Sequence, residues 1–240
     1  MTERSEAGTR TVRVRRVGRS ALLLEVGSDG EVAALHAELM RCQSEGLLGR
    51  VDEIVPAART VLLDGVAQPE LVAGEFEGRR LEPLTAGHGP VVQVPTVYDG
   101  ADLAEVAGLW RVSVAEAVRI HAGCEYRVAF CGFAPGFAYL TGLPEQYAVP
   151  RHATPRTRVP AGSVALAGPY TGVYPGASPG GWQLIGRTEL PLWDPDRDPA
   201  ALLTPGTRVR FLAVEPKGAE PKAGEPGAGE PTAGEPGAGR

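Results

Sequence analysis

The sequence predicts an α+β protein: a small α+β unit, then a body of short β-strands, then a polar tail. Between Phe130 and Thr188, glycine and proline recur every few residues, yet the segments between them are apolar and β-branched or aromatic. A flexible linker would lack Val164, Leu166, Val173, Tyr174, Trp182 and Ile185; short strands joined by fixed turns account for them. Upstream, Val32, Leu35, Leu39, Leu47 and Leu48 fall on a helical period between strand-like runs. From Glu215 the composition changes to EPKGA-EPKAG-EPGAG-EPTAG-EPGAG, which contains nothing that can build a core.

In chain order, residues 1–9 are polar and expected to fray. VRVRRV and ALLLEV read as two strands around a turn at Gly18. A helix is predicted over 31–48, with Asp29 as N-cap and Gly49 just beyond its end. VDEIV and RTVLLD follow as strands separated by Pro56, and 69–76 as a short helix. These elements make an α+β unit over 10–89. PVVQV opens the second unit, 90–214, followed by helices over 101–108 and 113–122, the latter with Ser113 and Glu116 in capping-box spacing. Residues 125–133, the glycine-proline stretch, ELPLWD and RVRFLAV supply further strands, with Pro205-Gly206 as the turn before the last. Seven or more short strands predict a barrel or sandwich. Residues 215–240 are expected to be a disordered tail.

Composition excludes several function classes. A formal net charge of −5 argues against a general nucleic-acid binder. No apolar run approaches the roughly 20 residues of a membrane helix. The N-terminal arginines precede no signal-peptide h-region. Three cysteines, Cys42, Cys124 and Cys131, form no C-x-x-C pair, which predicts reduced thiols and a cytoplasmic setting. Both lysines, Lys217 and Lys222, lie in the tail, so the body can hold neither a Walker lysine nor a Schiff base. There is no G-x-S-x-G elbow and no His pair at i, i+4 for zinc. What remains is cationic and hydrogen-bonding: Arg151, Arg156, Arg158 and Arg187 suit a carboxylate or phosphate. Each is also accounted for by pairing with a nearby surface acid. His121, at the end of its helix, suits either the helix dipole or proton transfer. Ser163 and Gln183 suit turn capping or ligand contact.

Four segments, GFAPGFAYLTGLP, VPRHATPRTRVPAGSVALAG, TGVYPGASPGGWQLIGRT and LTPGTRVRF, carry a resemblance. Together they resemble the family that includes the B subunit of 5-oxoprolinase, KipI and allophanate hydrolase subunit 1. The resemblance implies a ferredoxin-like N-terminal domain and a cyclophilin-like β-barrel. It implies a subunit of an ATP-dependent enzyme that opens 5-oxoproline to glutamate, inactive alone. The partners would be the C-type (KipA-like) and A-type subunits of that enzyme, with ATP and Mg²⁺ used in the assembled complex. The same family implies two alternatives, an inhibitor that binds a sensor histidine kinase and a urea- or allophanate-pathway subunit working with a biotin-dependent carboxylase. His121, Tyr139, Arg156, Ser163, Gln183 and Arg187 lie where the motifs match. The expected site has His121, Arg156 and Arg187 in catalysis, with Tyr139, Arg158, Ser163 and Gln183 binding substrate. His121, Arg156, Gln183 and Arg187 are expected to converge on one cleft.

Overall fold

A computed structural model describes residues 11–81 and 91–216. Strands β1 (Arg13–Val17) and β2 (Ala21–Glu25) pair antiparallel across a turn at Gly18, whose φ of +64° is cheap only for glycine. Helix α1 (Asp29–Ser44) starts two residues earlier than the expected 31, and Ser28 rather than Asp29 is the N-cap. Ser28 Oγ accepts from the Glu31 N–H at 3.3 Å, and Glu31 Oε2 reaches back past the cap to accept from Gly27 N–H at 2.7 Å, a relative of the capping box. The helix ends before Leu48 because Gly46 turns into the left-handed region at φ +72°. Leu48 still reaches the core from the turn beyond it.

Strands β3 (Glu53–Pro56) and β4 (Thr60–Asp64) and helix α2 (Pro69–Phe76) complete this part. The sheet order is β1-β2-β4-β3, antiparallel throughout. Pro56 lies inside β3 rather than between strands, which an edge strand tolerates. The described elements run ββαββα. This differs from the β-α-β-β-α-β order of a ferredoxin-like domain, since each helix follows a complete hairpin. Alternate sheet residues Leu22, Leu24, Val61 and Leu63 face Leu35, Leu39 and Phe76 of the helices in one buried core.

The second part holds β5 (Val91–Thr96), helices α3 (Leu103–Trp110) and α4 (Val114–Gly123), β6 (Tyr126–Cys131) and β7 (Ala138–Thr141). There follow β8 (Arg156–Val159), β9 (Ser163–Ala167), β10 (Tyr170–Val173), β11 (Ser178–Gly180), β12 (Gln183–Arg187) and β13 (Arg208–Ala213). Ser113 caps α4 by accepting from Glu116 N–H at 3.1 Å. Seven strands form one sheet in the order β12-β9-β10-β7-β6-β13-β5. Its two ends meet where Val97 and Arg187 exchange backbone hydrogen bonds of 2.9 and 2.8 Å, so the sheet curls into a nearly closed barrel. The antiparallel pair β8 and β11 forms a separate two-stranded sheet.

The run Ser163–Ala167 is buried at every position because both faces of β9 are covered. Val164 and Leu166 join the interior core with Leu140, Val173 and residues of α3 and α4. Ala165 and Ala167 face outward with Phe137, Tyr174, Trp182 and Leu184. This period-two division places an aromatic cluster on the outside of the barrel.

ELPLWD makes no strand; only Trp193 forms an isolated bridge, with Ala201. Pro191 removes a ladder donor there. The expected joint at 89/90 lies outside the described residues, as do residues 1–10 and most of the expected tail. Among the described residues, no helix is long and apolar enough to cross a membrane.

Candidate functional site

The outer aromatic cluster is open on one side. Phe133, Phe137, Tyr139, Tyr174 and Trp182 line a cleft of about 220 Å³, with Arg151 at its edge. Phe137 is the hub, in edge-to-face contact with Phe133, Tyr139, Tyr174 and Trp182 at centroid distances of 5.1–5.3 Å. Such pairs stabilise beyond their buried area. The loop from Gly132 to Phe137 is closed by Gly132 N–H to Phe137 O and Phe137 N–H to Ala134 O. Gly136, at φ +78°, lies where a Cβ would strike Trp193. Phe133 is the costly residue, at φ +71° and 63% exposed. A left-handed phenylalanine costs roughly 1 kcal/mol or more, and here it holds an aromatic ring at the mouth of the cleft.

Behind the cleft lies a buried carboxylate. Asp102, 5% exposed, precedes α3 but does not cap it. Its Oδ2 accepts from Leu184 N–H at 2.6 Å and its Oδ1 from Arg156 Nη2 at 2.6 Å. His152 Nε2 lies 3.2 Å from Oδ2 but off the hydrogen-bonding direction, so that nitrogen has no hydrogen-bond partner. Burial raises the carboxyl's pKa, but the Leu184 N–H and Arg156 outweigh it, and the net shift is downward. Asp102 thus ties α3, β12 and β8 together.

The expected site residues occupy separate places. Tyr139 is in the cleft, stacked on Phe130 at 4.4 Å. Burial raises its pKa, against the opposing charge of Arg151. Arg156 donates to Trp182 O at 3.4 Å as well as to Asp102, which puts it beside the cleft with its charge already matched. Gln183 follows Trp182 and is 2% exposed; its Nε2 donates to Pro150 O, and its Oε1 has no partner. Arg158 is exposed on β8.

Arg187 is at the far end of β12, paired with Asp99 at 2.9 Å, on a different cavity of about 370 Å³. Ser163 is opposite it in register and donates to Pro160 O at 2.8 Å, which is turn capping. His121 is sealed in the barrel interior at 1% exposure, 2.7 Å from the Tyr98 hydroxyl through Nδ1 and against Tyr126 and Phe211. Burial lowers its pKa to about 3, so the ring is neutral. One cleft holding His121, Arg156, Gln183 and Arg187 is not what the geometry shows.

Two further cavities lie against α1 and α2, lined by Arg41 and Arg79. Arg41 pairs with Glu38 and Glu45, and Arg79 with Glu38 and Glu75. The aromatic cleft, in contrast, presents Arg151 with no acidic partner among the described residues. Sequence reasoning missed Asp102, which reads as an ordinary helix-start aspartate, and apart from Tyr139 treated the cleft aromatics as strand filling or core. The available signal was the density of aromatics around GFAPGF, at non-alternating positions.

A nearly closed seven-stranded barrel with an α+β companion defines the architectural class. Residues 12–203 match the family described as carboxyltransferase domain, subdomain C and D, and the chain belongs to that family. It is 52% identical over 139 residues to the B subunit of 5-oxoprolinase from Escherichia coli O157:H7, covering 57% of this chain and 62% of the relative. It is 36% identical over 225 residues to the protein of the same name in Bacillus subtilis (strain 168), covering 85% and 93%. Among solved structures, TTHA0988 superposes with a TM-score of 0.68 at 34% identity, over 87% of this chain and 41% of the other. The match thus spans less than two thirds of the E. coli relative and of TTHA0988. The Kluyveromyces lactis urea carboxylase shares the fold, with a TM-score of 0.64 at 19% identity over 85% of this chain and 22% of that one.

Proposed function

We propose that this chain is one component of an ATP-dependent 5-oxoprolinase and contributes a binding half to an active site shared with partners of the C type and the A type. The observation that carries the reading is 36% identity across 93% of the Bacillus relative, itself named as the B subunit of 5-oxoprolinase. In the same reading the barrel is the cyclophilin-like body of the family, spanning 90–214. The free thiols of Cys42, Cys124 and Cys131 suit a reducing cytoplasm.

The chemistry divides accordingly. A lactam carbonyl is a poor electrophile, and activating it with ATP develops negative charge that arginines and backbone N–H groups stabilise. This chain supplies aromatic walls and cations. Its buried histidine is held neutral, and its body lacks lysine. Among the described residues no group of three His, Cys, Asp or Glu side chains can hold a metal ion. A Mg²⁺ carried by ATP would be held chiefly by the phosphates, with one or two carboxylates sufficing from the protein side.

The test is 5-oxoproline-stimulated ADP release. The purified chain alone should release none above background, and the chain mixed with its C-type and A-type partners should. Equal ADP release from the partners without this chain would refute the reading.

A further inference from the structure

We infer that the aromatic cleft is a binding pocket for a small ring-bearing carboxylate, the ring lying between the aromatic faces and the carboxylate on Arg151. The inference rests on the proposed function for its specific ligand, 5-oxoproline, but on geometry for the pocket. At about 220 Å³ the cleft is smaller than the range typical of drug-sized ligands, roughly 300–1,000 Å³, and suits a single small ring. Its walls are aromatic on three sides, from the GFAPGF loop, β10 and the start of β12.

Charge selects the ligand class. An aromatic cage without a cation would favour an ammonium ligand through its ring faces. Here Arg151 stands at the edge, and Arg156 lies just behind Trp182. Their field disfavours a cation and favours an anion, and a guanidinium fork matches a carboxylate. The two arginines differ in one respect that decides the anchor. Asp102 already holds Arg156, whereas Arg151 has no acidic partner among the described residues. The charge of Arg151 also reaches both cleft tyrosines, where it opposes the rise that burial imposes on Tyr139 and Tyr174.

Unspent hydrogen-bonding capacity is concentrated nearby. Three buried side-chain atoms among the described residues lack a hydrogen-bond partner: His152 Nε2, Ser178 Oγ and Gln183 Oε1. Each belongs to a residue adjacent in sequence to one that lines the cleft, namely Arg151, Pro179 and Trp182. None of these three residues lines the cleft itself, so the polar contact to a ligand falls to Arg151. Phe133, held at the mouth by a left-handed backbone and in edge contact with Phe137, gives the pocket a fourth wall.

Titration calorimetry on the full chain tests this with 5-oxoproline, with 2-pyrrolidinone as the same ring without the carboxylate, and with pyrrole-2-carboxylate as a different ring acid. 5-Oxoproline should bind, and 2-pyrrolidinone at least about tenfold more weakly, as expected for loss of one charged hydrogen-bonded pair. Arg151→Ala should weaken 5-oxoproline by a similar factor at unchanged melting temperature. Phe133→Ala should weaken both ring ligands alike, and Arg119→Ala, on α4 away from the cleft, should change nothing. Binding of pyrrole-2-carboxylate but not 5-oxoproline, lost in Arg151→Ala, would support the pocket and overturn the oxoprolinase reading. Coupled activity in the three-protein mixture with an unchanged KM for 5-oxoproline in Arg151→Ala would overturn the pocket and leave that reading standing. No binding of any ring acid to the chain would also overturn the pocket.

Discussion

Replacing Asp102 by alanine removes a carboxylate that holds three elements together. The Leu184 N–H, buried in β12, loses its carboxylate acceptor at 2.6 Å, which costs about 1–3 kcal/mol. Arg156 loses its partner as well. Breaking a fully buried pair costs about 3–5 kcal/mol, but the Arg156 side chain is 30% exposed and can rehydrate, so its share is smaller. Together these give about 3 kcal/mol, or a fall in melting temperature of about 6–12 °C for a chain of this size. Differential scanning calorimetry of the Asp102→Ala variant measures it. The carboxyl pKa lies below its ordinary value in the fold, so its stabilisation is complete above that ordinary value and is lost as pH falls through the lowered one. The deficit should therefore be constant from pH 8 to 5 and shrink only in more acidic solution. A change of under about 2 °C, or a deficit that disappears between pH 7 and 6, would refute the reasoning.

Other outcomes follow from the same geometry. The His121 imidazole, lowered to about 3 by burial, should show no NMR titration above pH 5. Its contribution to stability is complete above its ordinary 6.5 and is lost as pH falls from there towards 3. A midpoint near 6.5 would mean that the ring is not sealed. Arg156→Lys keeps the charge but loses the fork that spans Asp102 and Trp182 O, and should lower the unfolding midpoint in urea by about half the Asp102→Ala effect. Gly162→Ala should destabilise the barrel by about 2 kcal/mol or more by thermal melting, because φ is +77° and a Cβ would collide with Thr188 O. A variant within about 0.5 kcal/mol of wild type would show that the turn gives way.

Much of the fold was legible in the sequence because its determinants are local. The turn at Gly18, the helix at 69–76 and the Ser113 cap depend on neighbours in the chain, and each is present in the structure. The errors were also local: Ser28, not Asp29, caps α1, because its Oγ accepts from the Glu31 N–H while the Glu31 carboxylate accepts from Gly27 N–H. ELPLWD has strand composition, but Pro191 leaves it only a single bridge. The candidate site was less legible. Arg187 and Trp182 are five residues apart on one chain, yet β12 carries them to opposite ends of the barrel wall. Asp102 and Arg156 meet across 54 residues, and no spacing rule anticipates that contact. His121 has the composition of a catalytic residue and the burial of a core residue; only packing decides between them.

The most direct test of the central claim is the product itself. Carbon-13-labelled 5-oxoproline, ATP and Mg²⁺ are supplied to the chain with the proposed C-type and A-type partners, and labelled glutamate is followed by NMR. Glutamate should accumulate in step with ADP only when all three proteins are present. Undiminished glutamate formation after omission of this chain would contradict the claim that it contributes part of the active site.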